Sequence, residues 1–127
     1  MSGLTVGAVQ AQSRISAEAF LDIAVGKTLT FHSMRFGALV GTEEFLRRDL
    51  SVWKRAGGTC VYGRITIEAG QLCFLYDDEV QSEKSCWFVL QDGAQLYVRA
   101  PEMLNAEIQR VSSITTEKIE CPNAPTS

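Results

Sequence analysis

Four cysteines, a single histidine and one run of carboxylates are the residues of this chain with chemistry to offer. His32 titrates near neutrality and would act as a general base if a nucleophile and an orienting acid stood beside it. Its neighbour Ser33 points to the opposite face of a strand, and no Gly-x-Ser-x-Gly element occurs. His32 therefore reads as a solvent-facing strand residue. One histidine also rules out a two-histidine zinc site within one chain. Asp77, Asp78 and Glu79 gather in one loop, with Glu83 close behind. Such oxygen clusters bind hard cations and paired carboxylates cleave glycosidic bonds, but the calcium-loop pattern is not matched and neighbouring loop residues hold no fixed cleft separation. The loop reads as a solvated acidic hairpin tip that a partner could meet. Gly26-Lys27-Thr28 has the ending of a phosphate-binding loop, yet position 21 is Leu21 where that loop needs glycine, and the helix precedes it rather than follows. No catalytic residue, metal ligand or cofactor is expected.

Arg47, Arg48, Lys54, Arg55 and Arg64 form the one basic concentration, beside Trp53 and Tyr62. Strands paired about Gly57-Gly58 would bring these residues to one polar face, a patch for an anion or an acidic partner. The plainer alternative is a solvated sheet face on which arginine stacks on aromatic rings. The net charge of -3 excludes a strongly basic nucleic-acid binder. No apolar run approaches the ~18 residues of a membrane-spanning helix.

Cys60, Cys73 and Cys86 stand 13 residues apart, with Cys121 near the C-terminus. No Cys-x-x-Cys is present, which removes zinc knuckles and thioredoxin-type chemistry. A hairpin folded symmetrically about Glu79 and Val80 sets Cys73 directly opposite Cys86, close enough for a disulfide. Cys60 is then left with Cys121, a bridge that would pin the C-terminal tail to the sheet. The alternative is four reduced cysteines packed as small apolar residues. Disulfides imply export. Residues 1–13 carry no charge and include Val9-Gln10-Ala11, suited to signal cleavage after Ala11, so Met1 reads as an internal start within a truncated signal. The competing reading is a flexible N-terminal tail on a cytoplasmic protein.

The elements that must position these residues follow from periodicity. Ser16 caps a short helix whose apolar face is Ala19, Phe20, Ile23 and Ala24, with Gly26 as its stop. From Lys27 the period becomes two, with Leu29 and Phe31 alternating against Thr28, Thr30 and His32. Phe36 to Gly41 turns or ends a short strand. Glu44 to Arg55 fits a bulged strand, or a strand after one helical turn. Val61, Gly63, Ile65 and Ile67 alternate with polar neighbours, Ala69-Gly70-Gln71 turns the chain into Leu72 to Tyr76, and Asp92-Gly93 signals a hairpin between Cys86–Leu90 and Gln95–Arg99. Glu102 to Arg110 reads as one more helix. The chain is mainly β: a small antiparallel β-meander, partly or fully closed, with a short N-terminal helix. Residues 1–15 form an arm or signal remnant, 16–121 a single β domain, and 122–127 a loose tail.

From Gly26 to Val98 the sequence resembles small exported proteobacterial proteins of unknown function. The resemblance rests on Gly26-Lys27-Thr28-Leu29, Gly41-Thr42-Glu43-Glu44 with Val52-Trp53, and Cys60-Val61-Tyr62-Gly63. Its most specific piece is Leu72-Cys73-Phe74-Leu75-Tyr76 with the later Cys86-Trp87. It departs from the pattern at Arg64-Ile65, where an aromatic commonly follows. It implies an exported, disulfide-stapled β domain and supplies no activity. In size and build the chain is similar to lipocalin-like periplasmic inhibitors of proteases and lysozymes. The expected function is a non-catalytic exported binding or inhibitor-like module, with a protein partner in the cell envelope. Asp77, Asp78, Glu79, Arg47, Trp53, Arg55, Tyr62 and Arg64 are its candidate contacts. The alternatives are an accessory subunit of an envelope complex, and a carrier of a small apolar ligand should a closed barrel leave an internal cavity.

Overall fold

A computed structural model describes residues 13–77, 83–102 and 104–121. The chain runs β1 (Ser13–Ile15), α1 (Ala17–Ala24), β2 (Thr28–Ser33), β3 (Leu39–Arg47), β4 (Leu50–Arg55), β5 (Cys60–Glu68), β6 (Gln71–Tyr76), β7 (Ser85–Asp92), β8 (Gln95–Arg99) and β9 (Ile108–Thr115). Each strand from β2 to β9 pairs antiparallel with the next, and β9 pairs back onto β2, closing an eight-stranded up-and-down barrel. Closure gives every barrel strand a partner on both sides. β7 pairs with β6 through residues 85–87, and its later half pairs with β1 instead. Residues 13–15, read from sequence as part of an N-terminal arm, are therefore a strand.

The period-two stretches become strands because alternate side chains reach the barrel interior and the outer wall. Ile65, Phe74, Val89, Val98 and Val111 are buried in one core with Leu29, Phe31 and Phe45. The helix closes one end of this core. The Ser16 hydroxyl accepts from the Ala19 amide at 3.0 Å, satisfying one of the amides the first turn leaves free. Phe20, Leu21 and Ala24 are buried, with Ala17. The buried face is thus rotated from the expected one: Ala19 and Ile23 are only half-buried, because the helix plugs a barrel end and its burial follows the rim it fits. The Gly26 amide donates to Phe45 O and Arg48 reaches Asp22 Oδ1 at 2.7 Å, fixing α1 at the end holding the β3–β4 turn.

Two further element assignments differ from the sequence reading. Glu44 to Arg55 is a hairpin rather than one bulged strand: a bulge does lie between Phe45 and Arg47, but the chain reverses at Arg48-Asp49 and pairs Arg47 with Leu50. The described residues of 102–110 form no helix; β9 begins at Ile108 and is the strand that joins β8 to β2. Closure pairs β9 with β2 along most of its length and with β8 through residues 108–110, which outweighs local helical spacing.

Both expected disulfides are formed, Cys73–Cys86 and Cys60–Cys121. Cys73 and Cys86 are register partners across the β6–β7 hairpin, as symmetric folding of that hairpin requires. After β9 the chain crosses the outer wall over Glu44, which accepts from the Ile119 amide and from Lys118 Nζ, each at 3.1 Å, and Cys121 staples it to Cys60. Two disulfides and no free cysteine suit an oxidising, non-cytoplasmic compartment. No described helix is long and apolar enough to cross a membrane.

Candidate functional site

The barrel interior is not completely filled. A cavity of about 210 Å³ lies above the α1 plug and reaches the rim at the opposite end. Eight strands give a lumen just wide enough for side chains or for one small ligand. Register divides the wall into levels. Gly41 pairs with Arg55 at the rim, Glu43 with Trp53 one level down, and Phe45 with Ser51 at the floor. At the floor Phe20 of α1 meets Phe45 edge-on, with ring centroids 5.8 Å apart. From there the rings run on through Phe74, Tyr76, Trp53 and Phe31 at centroid spacings of 5.7 to 6.4 Å.

One acid stands inside this aromatic wall. Glu43 is only 3% exposed. The Ser51 hydroxyl donates to its Oε2 at 2.6 Å, and the Tyr76 hydroxyl donates to Oε1 at 2.9 Å and Oε2 at 3.1 Å. Burial pushes the carboxyl up from 4.5 to about 8, against the pull of these two hydrogen bonds. Burial, with the adjoining carboxyl, in turn raises the Tyr76 phenol well above its ordinary value. At neutral pH the pair is therefore mostly uncharged, a hydrogen-bonding group in an otherwise apolar chamber.

Two glycines create the space. A Cβ on Gly63 would fall 2.7 Å from the Tyr76 ring and 3.1 Å from Ser51 Oγ, so its absence lets Tyr76 of β6 lie across β5 and reach Glu43 on β3. A Cβ on Gly41 would meet the Trp53 ring at 2.5 Å, so the six-membered ring of the indole occupies the space over bare backbone. Neither position needs a positive φ; close approach is what demands glycine there.

The sequence-derived candidates are dispersed by this geometry. Trp53 and Arg55 line the cavity, Arg55 exposed at the rim. Tyr62 does not share their face, because Trp53 is opposite Val61, a lining residue, and the next residue along β5 points outward. Arg64 lies on the outer side of β5 by the same alternation. Arg47 is tied to Asp49 at 2.7 Å and Arg48 to Asp22, both in exposed ion pairs at the plugged end. The expected basic face is therefore split between lumen, outer wall and closed end. Asp77 is exposed at the end of β6, its amide donating to Tyr62 O at 2.8 Å, while Asp78 and Glu79 lie outside the described residues.

Sequence reasoning gave no role to Glu43, Ser51 or Tyr76. The signal was present: Gly41, Glu43 and Phe45 must share a face, so an inward Phe45 carries Glu43 inward with it. The structure also gives His32 a serine partner, Ser112, at 2.7 Å from Nδ1. The Ser112 hydroxyl donates to Thr30 O at 3.2 Å, so its proton is committed to the backbone and the imidazole N–H is the donor between the two. This pair stitches β2 to β9 on the barrel wall. Among the described residues no group of three or more His, Cys, Asp or Glu is placed to hold a metal ion. No family model, curated protein or solved structure matches the chain, and the function is argued from the lumen itself.

Proposed function

We propose that this protein is a non-catalytic carrier or binder of a small, largely apolar molecule, held in the barrel lumen with one polar group against Glu43 and Tyr76. The cavity carries the reading: about 210 Å³, aromatic along its wall, with a single buried acid–phenol pair at mid-depth. An apolar cavity of ~150 Å³ holds one benzene ring, so this one takes a ring with a short polar chain. The disulfides favour export to the periplasm or beyond, where such a carrier would meet its ligand.

Both tryptophans of the chain, Trp53 and Trp87, line the cavity, so all tryptophan emission reports on the lumen. Titration with single-ring compounds is expected to change that emission saturably and to raise the melting temperature. A ligand at a hundred times its Kd stabilises by about 2.7 kcal/mol. Val61→Phe, which narrows the rim, is expected to abolish both effects. Unchanged emission and melting across such a series would refute the reading.

A second reading, contact with an envelope protein through the loops at the open end, draws on Phe36 and Leu104, 80% and 82% exposed. It expects Phe36→Asp to abolish partner capture while leaving ligand-induced emission changes intact; retained capture would sink it.

A further inference from the structure

We propose, resting on the lumen reading above, that the ligand is a small organic amine bound as its ammonium, with the Glu43 carboxylate as counter-ion inside the ring wall of Phe31, Trp53, Phe74 and Tyr76. The lumen offers a cation what it denies an anion. Aromatic faces carry a negative quadrupole and attract ammonium groups within about 6 Å. The wall holds a continuous series of such rings, with centroids no more than 6.4 Å apart. The one ionisable acid in it lies at the middle level, opposite Trp53 in register. An empty lumen leaves that acid without a counter-charge, and burial keeps it protonated. An entering ammonium supplies the missing charge.

The groups around Glu43 agree with this assignment. Ser51 of β4 and Tyr76 of β6 both donate to it, which favours the carboxylate form. Ser85 of β7 and Gln109 of β9 line the cavity as neutral groups, and α1 contributes Phe20. Glu44 and Lys118 pair with each other on the outer wall. Arg55 is the one cation among the lining residues, and it is exposed at the rim, where solvent screens it. A carboxylate ligand would have to leave its charge at that rim rather than at the middle of the lumen.

The proton balance makes the proposal testable. Below pH about 8 the free protein holds a proton on Glu43. The ammonium enters with its own proton, Glu43 gives one up to solvent, and each binding event releases one proton. Affinity for an amine should therefore rise about tenfold per pH unit between pH 5 and 7. It should level off near 8, and fall once the amine itself deprotonates near pH 10. An uncharged ligand accepting a hydrogen bond from protonated Glu43 would show the reverse, losing affinity above pH 8.

The experiment titrates the disulfide-intact protein with 2-phenylethylamine, 2-phenylethanol and 3-phenylpropanoate, following tryptophan emission and calorimetric heat in two buffers of different ionisation enthalpy. At pH 8 the amine is expected to bind at least tenfold tighter than the alcohol. It should release close to one proton at pH 6, and lose its advantage in Glu43→Gln. Equal or tighter binding of the alcohol would overturn the ammonium while leaving the lumen reading intact. Preference for the propanoate, lost in Arg55→Gln, would overturn it in favour of an anion. Silence with all three would overturn both readings. If Glu43→Gln fails to fold, the pH slope and proton count of the unsubstituted protein decide the matter alone.

Discussion

Burying Glu43 makes the stability of the empty barrel depend on pH in an unusual direction. Its carboxyl titrates at 4.5 when unfolded and at about 8 when folded. Between those values the folded chain holds one proton more than the unfolded chain, so stability falls as pH rises. The contribution of protonated Glu43 is fully present below pH 4.5 and is lost as pH rises through about 8. At ~1.4 kcal/mol per pH unit, the gap of about 3.5 units corresponds to about 5 kcal/mol in total, of which about 3 is lost by pH 7. For a chain of 127 residues one kcal/mol moves the melting temperature by about 4 °C, so the loss by pH 7 is about 12 °C. Glu43→Gln places an amide of the same shape there, keeping an acceptor for Tyr76 while the Ser51 hydroxyl turns to accept from the amide N–H, and it cannot ionise. Subtracting the two melting curves cancels the other groups, including Asp49 and Glu68, whose lowered values act in the opposite direction from exposed sites. The two proteins should melt together at pH 4.5 and diverge steadily to pH 8, with the variant the more stable. Thermal unfolding by circular dichroism at half-unit pH steps, oxidised and ligand-free, measures this. Parallel curves across pH 5–8 would refute the buried, uncompensated carboxyl and with it the account of the lumen.

Gly63→Ala is expected to lower stability by about 1–3 kcal/mol, because the added methyl meets the Tyr76 ring at 2.7 Å and that ring, stacked on Phe74, has nowhere to retreat. The same variant loses the Tyr76 bond that holds the Glu43 carboxyl down, so its pH slope should extend to higher pH; a melt matching the parent would refute the packing argument. Replacing both Cys73 and Cys86 with alanine is expected to cost about 3 kcal/mol, and the same change at Cys60 and Cys121, which closes a longer loop, about 4. Denaturant midpoints of the two double variants test that order, and intact mass before and after reduction and alkylation should report four protected cysteines.

The parts of the fold legible in the sequence are those where local pattern and global closure agree. Val61 to Ile67 alternates cleanly and is β5, and Asp92-Gly93 turns β7 into β8. Cys73 and Cys86 were placed opposite one another by hairpin symmetry alone, and they pair. β9 was hidden because only Ile108, Val111 and Ile114 are apolar across it, and its role in sealing β8 to β2 is a property of the closed ring rather than of the segment. The β3–β4 turn was hidden because Arg48-Asp49 carries neither glycine nor proline; Arg47 bonding to Asp49 takes their place in holding the reversal. The lumen was half legible. Trp53 and Arg55 drew notice for the wrong face. Glu43 and Tyr76 stand in the motifs Gly41-Thr42-Glu43-Glu44 and Leu72-Cys73-Phe74-Leu75-Tyr76 without a role there, because the alternation that turns Glu43 inward is legible only once Glu44 to Arg55 is read as a hairpin with Phe45 facing the core.

That pair of glutamates separates folding from function in two consecutive residues. Glu44 faces the outer wall, where the Ile119 amide and Lys118 occupy its oxygens and help carry the C-terminal segment to Cys60. Its charge is partnered by the chain itself. Glu43 faces the lumen, where hydroxyls but no cation among the described residues partner it, and burial holds it protonated at the expense of stability from pH 4.5 upward. A glutamine or an apolar residue at that position would avoid the penalty while filling the same space, and a carboxyl that only propped the wall would gain nothing from being ionisable. Among the described residues no group is placed that makes an ionisable acid useful there. Gly41 and Gly63 let the Trp53 and Tyr76 rings lie close against the wall, and the cavity inside them leaves room for such a group. Stability is lost because Glu43 ionises in the unfolded chain while the empty barrel keeps it protonated; an entering cation lets the folded carboxyl ionise as well, so occupancy and pH should act on the melting temperature together rather than additively.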